Sequence, residues 1–314
     1  VTQRVSIIIT THNRPRLLSR AVASARLSGR DPEIVVVDDA STDETGEICR
    51  SLPGIRYVRV ERNQGVACAR NVGLRASAGE YISFLDDDDE RLPGSLDMQV
   101  EHLEAEPRAA MIYGQALIVG GSGAAAQRLY PVHCPRGDIF WELLGQNFIP
   151  CGSAVFRRSC IMCVGLLDES VPGIDDWDLW LRLTERFNVT ATEQPVFSWR
   201  RSAPGSGQGS SSGARMVRMA VRQFHERWMC LDRAAQSPRS ARRAAWYAFS
   251  EGMARHLVWE AVRAQAAGRT RQAAENIFTG LRLLPSAMLR MPFDPRRARA
   301  ALGLLRGLAS ARRA

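Results

Sequence analysis

The sequence predicts an α/β fold over its first two thirds, a doubly wound, mostly parallel sheet flanked by helices, followed by an all-helical C-terminal region. Three observations carry this expectation. Up to about residue 200, short apolar, β-branched runs alternate with segments of helical spacing. The runs lack the in–out alternation of a sheet with one wet face, so helices are expected on both faces. A Gly/Ser-rich stretch then follows at 202–213, and beyond it apolar and arginine residues recur at helical spacing.

Residues 5–10 read as the first strand. Residues 15–28 read as a helix, because Leu17, Leu18, Ala21, Val22 and Ala25 share one face, with Pro15 suited to its first turn and Gly29 to its stop. The run Ile34-Val35-Val36-Val37 is a second buried strand, and Ser41-Thr42-Asp43-Glu44 predicts a capping-box start for a short helix. A third strand at 55–60, a helix at 65–76 and a fourth strand at 81–85 continue the alternation. Helices are expected at 216–231, 240–264 and 271–283, punctuated by Gly268 and Pro285. The expected division is a catalytic domain over 1–201, a flexible loop or lid over 202–215, and an Arg-rich helical domain over 216–314.

Composition narrows the function classes. Of 314 residues, 45% are hydrophobic and 24% charged, which excludes wholesale disorder. No apolar run approaches the roughly 18 residues needed to span a bilayer. The amino end leads into the first strand without a signal-peptide apolar region, the organisation expected of a cytoplasmic protein. Seven scattered cysteines suit reduced, packed thiols, and Cys160-x-x-Cys163 has no partner pair or histidine cluster to make a zinc site. All 42 basic residues are arginine. The absence of lysine excludes P-loop NTPases, Schiff-base enzymes and pyridoxal-phosphate enzymes.

The net charge of +9 joins two opposed regions. Residues 1–198 hold 20 Arg against 27 acids, and residues 199–314 hold 22 Arg against 6 acids. The basic region interleaves Trp228, Trp246, Tyr247 and Trp259. It reads either as a helical cap with its aromatics in its own core or as a surface for a polyanionic acceptor or for peripheral contact with the inner face of an anionic membrane. Nucleic acid ranks below both.

Ligands of open α/β sheets sit at the carboxyl ends of the strands. Strand one ends in Thr10-Thr11-His12-Asn13-Arg14, strand two in Asp38-Asp39, and strand four in Asp86-Asp87-Asp88-Asp89. Acids converging on one sheet edge are costly unless a cation or a donor-rich ligand sits there. A hard divalent ion, Mn2+ or Mg2+, relieves the repulsion among four successive aspartates. The competing reading is a solvated acidic turn or helix cap.

These blocks, with Asn63-Gln64-Gly65, Ala69-Arg70-Asn71, Gly165-Leu166-Leu167-Asp168-Glu169 and Asp175-Asp176-Trp177-Asp178, stand in the order and spacing of the family 2 glycosyltransferases with the GT-A fold. The resemblance covers roughly residues 4–200. It implies that Thr10 and Asp39 hold the nucleotide base, with Thr11, His12, Asn13 and Arg14 around it and Asn63 and Gly65 nearby. Arg70 matches an arginine beside the base and diphosphate. Asp86-x-Asp88 matches the DxD motif: Asp88, with Asp86, would ligate the metal, and Asp86 or Asp87 would reach the ribose or sugar. Four like residues leave that register open by one.

Asp176 matches the general base, and Asp175 the first member of an acidic pair usually written Glu-Asp. Both stand at a predicted helix start, where Asp175 also fits an N-cap. Asp178 points about 200° away from Asp176. Gly152 and Ser153 match a strand bordering the sugar pocket, with Cys151 read as packing. Where many relatives have a histidine after an aromatic-Arg pair, Trp199-Arg200-Arg201 leads to Ser202, so Arg200 or Arg201 stands in for it.

The implied activity is metal-dependent, inverting transfer of a sugar from a nucleotide-diphosphate donor, UDP-linked by preference. The acceptor hydroxyl would belong to a glycan, a lipid-linked saccharide or a natural product. The alternative is a sugar-phosphate nucleotidyltransferase, whose Gly-rich, Arg/Lys-bearing loop is absent after strand one.

Overall fold

The computed structural model describes residues 4–119, 128–200 and 213–285, which fall into two compact units. The first comprises Val1–Phe140 and Asn147–Ser206, and the second Trp141–Gln146 and Gly207–Ala314. In chain order the elements are β1 (Val5–Thr11), α1 (Pro15–Leu27), β2 (Glu33–Asp38), α2 (Thr45–Ser51), β3 (Ile55–Arg59), α3 (Val66–Ala76), β4 (Tyr81–Asp86), β5 (Glu90–Arg91) and α4 (Ser95–Ala105). There follow β6 (Ala109–Val119), β7 (Arg128–Tyr130), α5 (Phe140–Gly145), β8 (Val155–Arg157), α6 (Arg158–Val164), α7 (Asp175–Arg186) and β9 (Asn188–Arg200). The second unit adds α8 (Gly213–Glu226), α9 (Asp232–Ala235), α10 (Arg239–Ala266) and α11 (Thr270–Leu283).

One sheet runs in the order β3-β2-β1-β4-β8-β6-β9-β5, with β7 on β6. Its first four strands are parallel; β2, β1 and β4 are the buried apolar runs, and β3 at the edge alternates half-buried and exposed residues. The rest is mixed: β8 is antiparallel to β4 and β6, β9 is parallel to β6, and β5 is antiparallel to β9. On one face, Leu18, Ala21, Val22 and Ala25 of α1 cluster with Ile7, Ile9, Ile34 and Val36 of the strands. Each fully buried branched side chain contributes about 1.5–3 kcal/mol. On the other face α3 lies against β1 at Gly73, where an added Cβ would sit 2.3 Å from Ile8 Cγ2.

Register brings the polar strand ends together. Thr10 stands beside Val37 and Asp86, and Thr11 beside Asp38. The helix after β2 starts later than its capping box predicts. It begins at Thr45 after Glu44, and the Asp43 carboxylate accepts the Thr45 N–H at 3.0 Å. Ser41 is engaged elsewhere: its N–H donates to Asp38 at 2.8 Å and its hydroxyl accepts the Asn13 N–H at 2.9 Å.

The start of α7 is anchored by a ladder of rings. Trp180 meets Phe156 edge-on at 5.6 Å, and Phe156 meets Phe84 of β4 at 5.3 Å.

In the second unit, Phe224, Trp228, Trp246 and Phe249 form an aromatic core, with Phe224 and Phe249 at 4.6 Å and Trp246 stacked on Phe249 at 5.6 Å. Tyr247 and Trp259 are exposed instead, so the interleaved aromatics divide between the two readings of the tail. The predicted loop over 202–215 lies outside the described residues up to 212, and residues 213–215 open α8 instead. Among the described residues no helix is long and apolar enough to cross a membrane.

Candidate active site

The loops after β1 and β2 are laced together. His12 Nδ1 lies 2.7 Å from the Asp39 carbonyl, Asn13 Oδ1 accepts the Thr42 N–H at 2.7 Å, and the Arg14 N–H donates to Thr45 Oγ1 at 3.1 Å. Asn13 and Ala40 hold left-handed backbone at φ 54° and 59°, conformations that non-glycine residues keep only where their surroundings impose them.

The two aspartates ending β2 face different partners. Asp38 is fully buried and accepts from Ser41, Tyr57 (2.9 Å) and Arg59 (2.8 Å). Burial opposes its ionisation, but those hydrogen bonds and the Arg59 charge outweigh it and hold its pKa below the ordinary value. Asp39 accepts the N–H groups of Gln64 at 2.9 Å and Gly65 at 2.8 Å, fixing the loop that carries exposed Asn63 into α3. Thr10, one residue before the end of β1, is buried.

The four aspartates after β4 separate by side-chain direction. The Asp89 N–H donates to the Asp86 carbonyl at 3.1 Å, closing a tight turn. Asp87 swings back to the β1 loop, accepting Thr11 Oγ1 and Arg14 Nη1, each at 2.7 Å. Burial nevertheless pushes its pKa up to about 6. Asp86, Asp88 and Asp89 instead bring carboxylate oxygens within 4.8 Å of one another. Burial first, and then the charge of Asp86, raise the Asp89 carboxyl well above its usual range. Three crowded oxygen donors suit a hard divalent cation. Arg200 borders this turn, its N–H on Asp89 at 2.8 Å and its guanidinium on the Asp88 carbonyl and Glu90. Arg201 lies outside the described residues.

Arg70 joins the turn to α7. Its guanidinium reaches Asp86 at 2.7 Å and Asp175 at 2.8 Å while lying 5.4 Å from the Phe84 ring centre. The resemblance implies a place for Arg70 beside the base and diphosphate; its described contacts are two carboxylates 89 positions apart (175 less 86). Asp175 is not the helix cap. Ile174 holds that position, and the Asp175 carboxylate pairs with Arg70 and accepts the Gly173 N–H at 3.2 Å. Asp176 accepts the Trp177 N–H at 2.6 Å. Burial, and then the neighbouring Asp175 charge, push its pKa up to about 7, with Arg70 opposing. Asp178 pairs with Arg182 at 2.9 Å, and Arg182 caps the carbonyls of Val164 and Leu166, a packing role.

Three contributions escaped sequence reasoning. Asn71 donates to the Leu167 carbonyl and accepts the Leu167 N–H, both at 3.0 Å, and reaches Glu169 at 2.8 Å. It thereby holds the loop leading to Asp175; its place in the Ala-Arg-Asn block was the only signal. Cys151, expected as packing, stands close enough to Arg70, Asp176 and Asp86 to feel their charges, and burial pushes its thiol pKa well up.

The third is Arg91. It is fully buried, donating to the Gly152 carbonyl at 2.7 Å and to Gln99 Oε1 at 2.5 Å, while Gln99 donates to the Ser153 carbonyl at 2.8 Å. Burial lowers its pKa to about 9. This network and the Phe197 ring, 2.8 Å from where a Gly152 Cβ would be, fix Gly152 and Ser153 in a short turn. Arg91→Ala is expected to cost about 3 kcal/mol in urea unfolding, because it strands the Gly152 carbonyl and Gln99. Arg91→Met, which fills the space but donates no hydrogen bond, should recover only the packing part of that loss. Equal stability of Arg91→Ala and the native chain would contradict the network's role.

A family model described as "Glycosyl transferase family 2" matches residues 6–165. The Escherichia coli protein WfaP, named as a UDP-Glc:alpha-D-GlcNAc-diphosphoundecaprenol beta-1,3-glucosyltransferase, is 35% identical over 207 residues, spanning 64% of this chain and 78% of that protein. The crystal structure of S. aureus TarS 1-349 in complex with UDP-GlcNAc aligns with a TM-score of 0.64 at 16% identity, covering 96% of this chain and 89% of that one. The mannosyltransferase PcManGT from Pyrobaculum calidifontis, in complex with GDP-Man and Mn2+, aligns at 0.56 and 19% identity, covering 96% and 84%. Sheet order, polar strand ends and these matches agree: the chain belongs to glycosyl transferase family 2 and is a glycosyltransferase with a GT-A-like fold.

Proposed function

We propose that the chain transfers a sugar from a UDP-linked donor to an acceptor hydroxyl with inversion at the anomeric carbon, assisted by Mn2+ or Mg2+. The observation that carries this reading is the Arg70 bridge, which ties the acidic turn to the start of α7 and so gathers cation ligands and a basic carboxylate in one place. Asp86 and Asp88 would hold the cation, with Asp89 as a third oxygen donor. The bound ion would supply positive charge for the departing diphosphate. Thr10, Thr11, His12, Asn13, Arg14 and Asp39, with Asn63 and Gly65, line the base and ribose side.

Asp176 takes the acceptor proton as the hydroxyl oxygen attacks. A carboxylate with a pKa near 7 is a stronger base than a solvated one, and its ionised fraction rises through neutral pH. Asp175 and Arg70 are positioning residues, setting the charge and orientation around it. The UDP preference is supported by the donor in the name of WfaP and by the UDP-GlcNAc complex of TarS. The WfaP acceptor also favours a lipid-linked saccharide among the three acceptor classes.

A thermal-shift screen of UDP-, GDP- and dTDP-sugars, with and without Mn2+, tests the donor. A UDP-sugar at a hundred times its dissociation constant should stabilise the fold by about 2.7 kcal/mol, and only with the metal present. Stabilisation by a GDP- or dTDP-sugar alone would overturn the UDP assignment, and stabilisation independent of metal would overturn the cation's part.

A further inference from the structure

Helices α10 and α11 pack as an antiparallel hairpin through Ala254, Val258, Ala261 and Ala264 against Ala273 and Ile277. One side of the hairpin meets α8. There Asn276 accepts the Ala214 N–H at 2.9 Å, Glu275 pairs with Arg218 at 2.9 Å, and Glu260 lies against Gly213. At 100° per residue, Arg271, Phe278, Leu281 and Arg282 fall within about 100° on α11; Phe278 and Leu281 turn away from α8, and Arg271 and Arg282 stand between them and Glu275. Arg255, Trp259, Val262 and Arg263 fall within a similar arc on α10, turned the same way.

This outer face is apolar and basic together. Trp259 is 40% exposed, Phe278 58% and Leu281 39%. Each aromatic carries a guanidinium, Arg263 at 4.6 Å from the Trp259 ring centre and Arg282 at 5.0 Å from that of Phe278. Residues 239–285 hold eight arginines against three acids. Those acids are engaged: Glu251 with Arg255 at 3.0 Å, Glu260 with Arg263 at 3.2 Å and beside Gly213, and Glu275 with Arg218.

We propose that the outer face of the α10–α11 hairpin docks on an anionic lipid bilayer. Charge selects this occupant. A second copy of the same face would set arginine against arginine. The chain's own residues 286–314 carry seven arginines and one acid, so they too are repelled. A headgroup region with acidic phosphates accepts both components, indole and phenyl rings at the acyl boundary and guanidinium groups on the phosphates. The proposal does not depend on which sugar is transferred or to what.

Co-sedimentation of the full chain tests it, using phosphatidylcholine vesicles with and without roughly one-third phosphatidylglycerol, at low and high salt. The expected result is retention on the anionic vesicles, weakened by salt. Retention should fall at least about tenfold in Trp259→Ala/Phe278→Ala/Leu281→Ala and again in Arg271→Glu/Arg282→Glu. These side chains are exposed, and circular dichroism together with UDP/Mn2+ calorimetry should be unchanged in both variants. Equal retention on neutral and anionic vesicles, or native-like retention of both variants, overturns the proposal. So does retention on single-stranded DNA without retention on vesicles, which would assign the face to nucleic acid. Failure to bind vesicles with intact UDP/Mn2+ binding removes this surface and leaves the transferase reading standing.

Discussion

Asp176→Asn is expected to lose roughly 10²–10⁴-fold in turnover while binding donor as tightly as the native chain, the usual effect of removing a positioned general base. Asparagine keeps the shape and still accepts the Trp177 N–H, so the change isolates the lost proton acceptor. Native turnover should rise with pH through about 7, where the Asp176 carboxyl ionises.

Stability moves the other way. The folded pKa lies above the usual value of 3.8, so the folded chain binds this proton more tightly than the unfolded chain does. The resulting contribution is complete below about pH 4 and is lost as pH rises towards 7. Asp176→Asn should therefore be more stable than the native chain at pH 8, by on the order of 1 kcal/mol or more. Urea titrations at pH 5 and 8 measure this, and an Asp176→Asn protein that is inactive and also less stable at pH 8 would point to misfolding. Asp175→Asn should weaken the fold by breaking a buried pair with Arg70, with a smaller loss of turnover once folded. The reverse ranking of turnover would move the base to Asp175.

Asp88→Asn is expected to weaken Mn2+-linked UDP binding about 100-fold or more, beyond the range typical of outer-shell ligand changes. The reason is its place among three carboxylates whose oxygens lie within 4.8 Å. Asp87→Asn is the discriminating comparison. Its carboxylate is held by Thr11 and Arg14, so its loss should lower stability by about 1–3 kcal/mol and leave metal-linked binding within a few-fold of native. Calorimetry with UDP at fixed Mn2+ separates the two. Unchanged binding in Asp88→Asn, or loss confined to Asp87→Asn, would shift the motif's register by one.

Local pattern was enough for much of this molecule. Unbroken apolar runs such as Ile7-Ile8-Ile9 and Ile34-Val35-Val36-Val37 can be buried only under helices on both faces, so the parallel half of the sheet was legible residue by residue. So was the collection of Thr10, Asp39 and Asp86 at one edge, because strands aligned in parallel end on the same side. Spacing cannot show where a side chain turns once a strand has ended. Asp86 and Asp87 are neighbours, yet one meets Arg70 and the other Arg14, because each is drawn to the cation that packing brings within reach. The same holds for Arg91, whose buried guanidinium donates to the Gly152 carbonyl some sixty positions away (91 to 152), and for Trp246 in a core while Trp259 faces outward. Backbone periodicity is local and was written in the sequence; the pairing of charges is long-range, and only the folded chain decided it.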